Sequence, residues 1–157
     1  MPDIDKEKTC CFFGHRKIDE TEELKNKLCG MIENLIVNEK VDTFLFGSKS
    51  QFDDLCHEIV TDLKEKYPHI KRIYVRSAFQ HIPDWYEDSL LKRYEDTYYP
   101  EQIKNSGRAS YVERNQEMIN IANSAWFITM RIIFPLGVKT ADGIYLTATK
   151  LPIISYI

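Results

Sequence analysis

The stretch Thr9-Cys10-Cys11-Phe12-Phe13-Gly14-His15-Arg16 decides the fold. Its first five residues form a short run with no charge, the form of a strand buried on both faces, and glycine then turns the chain. Downstream, Asp19-Glu20-Thr21-Glu22 reads as a capping box with Asp19 as N-cap. Leu24, Leu28, Met31, Ile32, Leu35 and Ile36 then recur at three- and four-residue steps, the apolar face of one helix. A second buried run, Thr43–Phe46, is again closed by a glycine, Gly47. Leu55, Ile59, Val60 and Leu63 mark a second helix that ends near Tyr67-Pro68, because proline cannot continue it. Ile70–Val75 is a third strand. Strands alternating with helices predict parallel strands joined by helical crossovers.

The remainder of the chain is less regular. Arg76 to Ser110 is rich in aromatic and charged residues. Asp84, after Pro83, is expected to cap a short helix through Leu90 and Leu91, and Thr97-Tyr98-Tyr99-Pro100 reads as a turn or short extended piece. Tyr111 to Ala122 returns to a helical pattern, with Ser110 or Tyr111 as its start, and Ala125–Thr129 is a fourth buried strand. Gly137 to Lys150 reads as a weak helix, interrupted by Gly143, Thr147 and Thr149, and Pro152–Ile157 as a terminal strand. With no linker or repeat in the sequence, residues 1–157 are expected to form a single α/β domain, Rossmann-like and three-layered, on a mostly parallel sheet of about five strands.

Composition narrows the partners. The chain is 43% hydrophobic and 29% charged, an ordinary globular balance. Its 21 basic and 24 acidic residues leave a net charge of −3, which gives no general attraction to nucleic acid or to an anionic membrane. The four cysteines, Cys10, Cys11, Cys29 and Cys56, form no CxxC pair and fall at no zinc-site spacing, so reduced, structural thiols are expected. The charged stretch Met1–Lys8 lacks the apolar core of a signal peptide, and no apolar stretch approaches the roughly 20 residues of a membrane span. The expected location is cytoplasmic.

In an open parallel sheet, ligands bind beyond the carboxyl ends of the strands, which singles out the residues following each one. After the first strand, Gly14 permits a close turn, Arg16 can hold a phosphate with two N–H groups, and His15 can donate or act as an acid or base. After the second, Gly47-Ser48-Lys49-Ser50 opens a helix as an anion cradle would, although it is no P-loop; a plain cap by Ser50 explains the same residues. Asp53 in the first helical turn suits either a ribose hydroxyl or the helix dipole. Tyr111, Arg114 and Asn115 share one helix face, where a tyrosine can stack on a base and Arg and Asn can engage phosphate or sugar; the alternative is surface pairing of Arg114 with Glu113 or Glu117. Gly137 and Thr140 form a further phosphate-turn candidate. His57, His69 and His81 carry no catalytic pattern, and Trp85, Tyr86, Tyr94, Tyr98 and Tyr99 read as packing over the sheet rather than lining a pocket.

These pieces, TCCFFGHR, FLFGSKSQFDDL, KEKYPHIKRIYV and YVERNQEMINIANSAWFIT, resemble the YpsA-like proteins of the SLOG superfamily, which also holds the DNA-processing protein DprA and the LOG phosphoribohydrolases. The similarity runs from about Thr9 to Thr129. It implies a Rossmann-like fold and a pocket for a nucleotide or a nucleotide-derived ligand such as ADP-ribose, with Gly14, His15, Arg16, Gly47, Asp53, Arg114 and Asn115 at its walls. Relatives carry a Ser-Gly-Thr or Gly-Gly-Thr turn before the last helix, where this chain reads Leu136-Gly137-Val138-Lys139-Thr140. The LOG hydrolases place a glutamate three residues after that threonine; here the position is Gly143, beside Asp142, which argues against phosphoribohydrolase activity.

The expected partner is therefore a nucleotide-like small molecule, without a resident cofactor or metal and without nucleic acid or membrane; self-association is compatible with the sequence. The alternative is a hydrolase of an N-glycosidic or phosphate bond, with His15 or Glu113 as acid or base and Arg16 and Arg114 stabilising negative charge.

Overall fold

The computed structural model describes residues 2–14, 16–47, 50–101, 103, 107–121, 126–132 and 144–150. Strand β1 (Thr9–Phe13) feeds helix α1 (Glu22–Val37), followed by β2 (Thr43–Phe46), α2 (Gln51–Lys66) and β3 (Lys71–Val75). A short helix α3 (Asp84–Leu91), strand β4 (Asp96–Tyr98), helix α4 (Arg108–Ile121) and strands β5 (Trp126–Ile132) and β6 (Ile144–Lys150) complete the order. The sheet runs β4-β3-β2-β1-β5-β6. All neighbours pair in parallel except β6, which lies antiparallel on β5 from Trp126↔Lys150 to Ile132↔Ile144. The expected α/β domain on a largely parallel sheet is present.

The strand runs are apolar because both faces are covered. Cys10, Phe12, Phe44 and Phe46 face α1 and α2, packing against Leu28, Ile32, Leu55 and Val60. Alternate residues Cys11, Leu45, Ile73 and Val75 join Tyr98 of β4 and Met118 of α4 in a second cluster. This two-residue alternation sends neighbouring side chains into different cores. Burial pushes the Cys11 and Cys56 thiols up, so both stay protonated as small apolar fillers.

Several boundaries depart from the sequence expectation. Helix α1 is capped by Thr21, whose Oγ1 accepts from Leu24 N at 3.1 Å, and not by Asp19. Asp19 instead lends its backbone carbonyl to Thr21 N, a turn that places the cap two residues further on. Asp84 does not cap α3; it is the first helical residue, behind Pro83, and its carboxylate complements the helix dipole. Helix α4 begins at Arg108, ahead of the expected start at Ser110 or Tyr111. Thr97 and Tyr98 belong to the edge strand β4, where Thr97 Oγ1 donates to Tyr74 O at 2.9 Å. Residues 137–143 lie outside the described residues, and the weak helix read over Gly137–Lys150 is overturned across Ile144–Lys150, which is β6. Its content of isoleucine, tyrosine and threonine favours a pleated strand, and pairing with β5 supplies its backbone partners. Ala122, Ala125 and the terminal stretch Pro152–Ile157 lie outside the described residues.

The opposite end of the sheet is locked by charge. Arg72 of β3 donates to both oxygens of Glu95, at 3.1 and 2.8 Å, and to Thr61 Oγ1 of α2 at 3.0 Å. His57, midway along α2, meets the rings of Phe46 and Tyr94, and its Nε2 lies 2.9 Å from Arg93 O.

Candidate functional site

The loops after β1, β2 and β3 meet the first turn of α2 and one face of α4 at the carboxyl edge of the sheet. Gly14 follows β1 and lies against Phe52 so closely that a Cβ there would come within 2.2 Å of Phe52 Cδ1. Glycine at this position is thus fixed by packing. The same loop is fastened to α2 by two bonds. Gln51 N donates to Arg16 O at 2.9 Å, and Ile18 N donates to Gln51 Oε1 at 2.8 Å. One of the free N–H groups of the helix start is thereby satisfied by the β1 loop. Ser50 caps the helix, accepting from Asp53 N at 3.0 Å.

Arg114 of α4 is the centre of the cluster. It is only 2% exposed. Its Nη1 donates to Gly47 O and, at 3.1 Å, to Ser77 Oγ. Nε and Nη2 donate to Asn115 Oδ1 at 3.3 and 3.2 Å, and the guanidinium lies over the Tyr111 ring at 5.3 Å from its centroid. One side chain therefore ties α4 to the loops after β2 and β3. A Cβ on Gly47 would meet Arg114 Cδ and Val75 O, both at 3.0 Å, so this second glycine makes room for the arginine.

Electrostatically the site is a buried cation whose described hydrogen-bond acceptors are neutral, with the carboxylate of Asp53 near enough to act on it. Burial lowers the Arg114 pKa from its ordinary value, while Tyr74, Asp53 and Tyr111 act in the opposite direction. A guanidinium stays charged under such a shift. Its described acceptors are a carbonyl, a hydroxyl and an amide, none of them a carboxylate. Asp53 is buried in the first turn of α2 and acts on Arg114 through space. Surface pairing of Arg114 with Glu113 or Glu117 does not describe this geometry.

Of the residues singled out by sequence, Gly14, Arg16, Gly47, Asp53, Tyr111, Arg114 and Asn115 come to this edge, with Arg16 exposed. His15, Ser48, Gly137 and Thr140 lie outside the described residues. Ser77 and Gln51 were missed, although Ser77 lies two residues after the end of β3, where the carboxyl-end rule points. The aromatic group divides: Tyr94 and Tyr98 are buried in the two cores, whereas Trp85 is exposed. A surface hollow of about 370 Å³ lies elsewhere, lined by Cys29, Gly30, Glu33, Asn34, Val37 and Asn38, all on α1 or at its end. That helix end leads into β2, at the far edge from the Arg114 cluster.

Fold and site together define an α/β domain with an arginine-anchored loop cluster at the carboxyl ends of parallel strands. No family model matches the chain, and no curated protein matches it. Among the described residues, no helix is long and apolar enough to cross a membrane.

Proposed function

We propose that this chain binds a nucleotide-derived small ligand, such as ADP-ribose or a simple nucleotide, at the loops after β1, β2 and β3. In the same reading the domain is Rossmann-like and three-layered, of the YpsA-like kind within the SLOG superfamily, and acts in the cytoplasm. The observation that carries it is Arg114: a buried guanidinium whose described acceptors are all neutral, placed where an open parallel sheet presents ligands. Its positive charge is fixed by the fold and favours an anionic group nearby. Exposed Arg16 supplies a further donor to phosphate, and Tyr111 supplies an aromatic face.

Thermal shift with AMP, ADP and ADP-ribose tests the proposal. A ligand at a hundredfold excess over its dissociation constant raises stability by about 2.7 kcal/mol, and each kcal/mol raises the melting temperature of a chain this size by about 2–4 °C. A rise of several degrees is expected for wild type, reduced in Arg16→Ala, whose own melting temperature stays unchanged. No shift with any of the three, or equal shifts in both proteins, refutes the assignment.

A further inference from the structure

The loop from Arg76 to Pro83, between β3 and α3, holds an aromatic ring out in solvent. Phe79 is 74% exposed and has φ 61°, a left-handed conformation that a bulky residue rarely adopts. The loop enforces it. Arg76 N is bonded to Tyr98 O at 2.8 Å, and Arg76 Nη1 reaches back to Phe79 O at 2.9 Å and Gln80 O at 3.2 Å. The guanidinium thus curls the tip around itself. On the other side the loop is rooted in the Arg114 cluster, because Ser77 is buried and accepts from Arg114.

Only Ala78 separates Ser77 from Phe79, so their Cα atoms lie at most about 7 Å apart. An apolar ring gains by burial, and a strained backbone is kept only where surrounding structure over-determines it. Here both costs are borne by a flat, apolar ring on a loop that is itself rooted on the buried Arg114. A mononucleotide offers the matching pair of features, an anionic phosphate and a planar base.

We infer that Phe79 stacks on the base of the ligand and so makes this site selective for nucleotides over sugar phosphates. The inference rests on the nucleotide reading of the Arg114 cluster. Stacking of a base on an aromatic side chain contributes about 1–3 kcal/mol, or roughly 5- to 150-fold in affinity.

The test compares AMP with ribose 5-phosphate, which lacks the base, by isothermal titration calorimetry on wild type, Phe79→Ala, Phe79→Gly and Phe79→Trp. Glycine adopts the left-handed backbone freely, so Phe79→Gly removes the ring without disturbing the loop. AMP affinity is expected to fall about tenfold or more in the alanine and glycine variants and to survive in the tryptophan variant, with ribose 5-phosphate binding unchanged throughout. Unchanged AMP binding in Phe79→Ala and Phe79→Gly overturns the stacking role and leaves the nucleotide reading standing. Equal losses for AMP and ribose 5-phosphate overturn it too, because the ring would then act on loop shape. Absence of binding by wild type removes the nucleotide reading and the stacking role together.

Discussion

Gly14→Ala tests the packing that seats the first loop on α2. The new Cβ would lie 2.2 Å from Phe52 Cδ1, 2.3 Å from Cγ and 2.7 Å from Cβ. Ordinary carbon–carbon contacts need about 3.5–4.0 Å, so the deficit exceeds roughly an ångström at two atoms. Phe52 is fully buried, and rotation about its χ1 cannot move its own Cβ. Relief therefore requires the loop and the first turn of α2 to separate, which strains the bonds from Gln51 N to Arg16 O and from Ile18 N to Gln51 Oε1. Overpacking costs about 1–3 kcal/mol, and each weakened hydrogen bond about 1 kcal/mol. The expected loss is about 3 kcal/mol, read as a lower urea midpoint with unchanged slope and a melting temperature lower by roughly 6–12 °C. Phe52→Ala alone costs about 3–5 kcal/mol. Added to Phe52→Ala, Gly14→Ala should cost clearly less than it does alone, because the clashes with Cδ1 and Cγ are gone and only the 2.7 Å approach to the retained Cβ remains. Strict additivity of the two changes, or a Gly14→Ala loss under about 0.5 kcal/mol, refutes the reasoning.

Two further outcomes follow from buried polar groups. Arg114→Lys keeps the charge but cannot reach Gly47, Ser77 and Asn115 together, so chemical denaturation should show a loss of about 2 kcal/mol; a change within about 0.5 kcal/mol would mean that the three contacts are not made. For His57, burial lowers the pKa from its ordinary 6.5, so the unfolded chain takes up a proton at pH values where the folded chain does not. Its share of the stability is complete above about pH 6.5 and is lost progressively as the pH falls, with a slope of at most about 1.4 kcal/mol per unit. His57→Gln should flatten the urea midpoint between about pH 5 and 6.5, and an unaltered slope there would assign the pH dependence to other groups.

The first half of the molecule was legible because burial on both faces of a parallel strand leaves little choice of residue. TCCFF and TFLF could be nothing else once helical periodicity filled the gaps between them. Ser50 was equally readable as a cap, since a small hydroxyl before an apolar phase has few other uses. The cap of α1 was misplaced because Asp19 and Thr21 are both good N-caps, and only backbone direction separates them. Strand β6 was obscured by its threonines, which weaken a helix without declaring a partner, and that partner is set by register on β5. Within the site, Arg114 and Asn115 were visible as one helix face, but their mutual bonding was not. Ser77 has no motif at all. Its role comes from an arginine 37 positions later, a relation that only the fold creates.

The central place of β1 also orders the assembly of the domain in time. One edge of β1 pairs with β2 early in the chain, whereas the other waits for β5, with Cys10 opposite Trp126. Each doubling of a loop adds only about 0.6 kcal/mol of closure entropy, so the delay scarcely affects final stability. It does affect folding speed, because long-range pairing must be reached before it is rewarded. A chain emerging in sequence holds its innermost strand half-paired until α4 and β5 arrive, and α4 brings Arg114. The Arg114 loop cluster and the closing of the sheet are consequently completed by one late event, which makes formation of that cluster a reporter of finished folding.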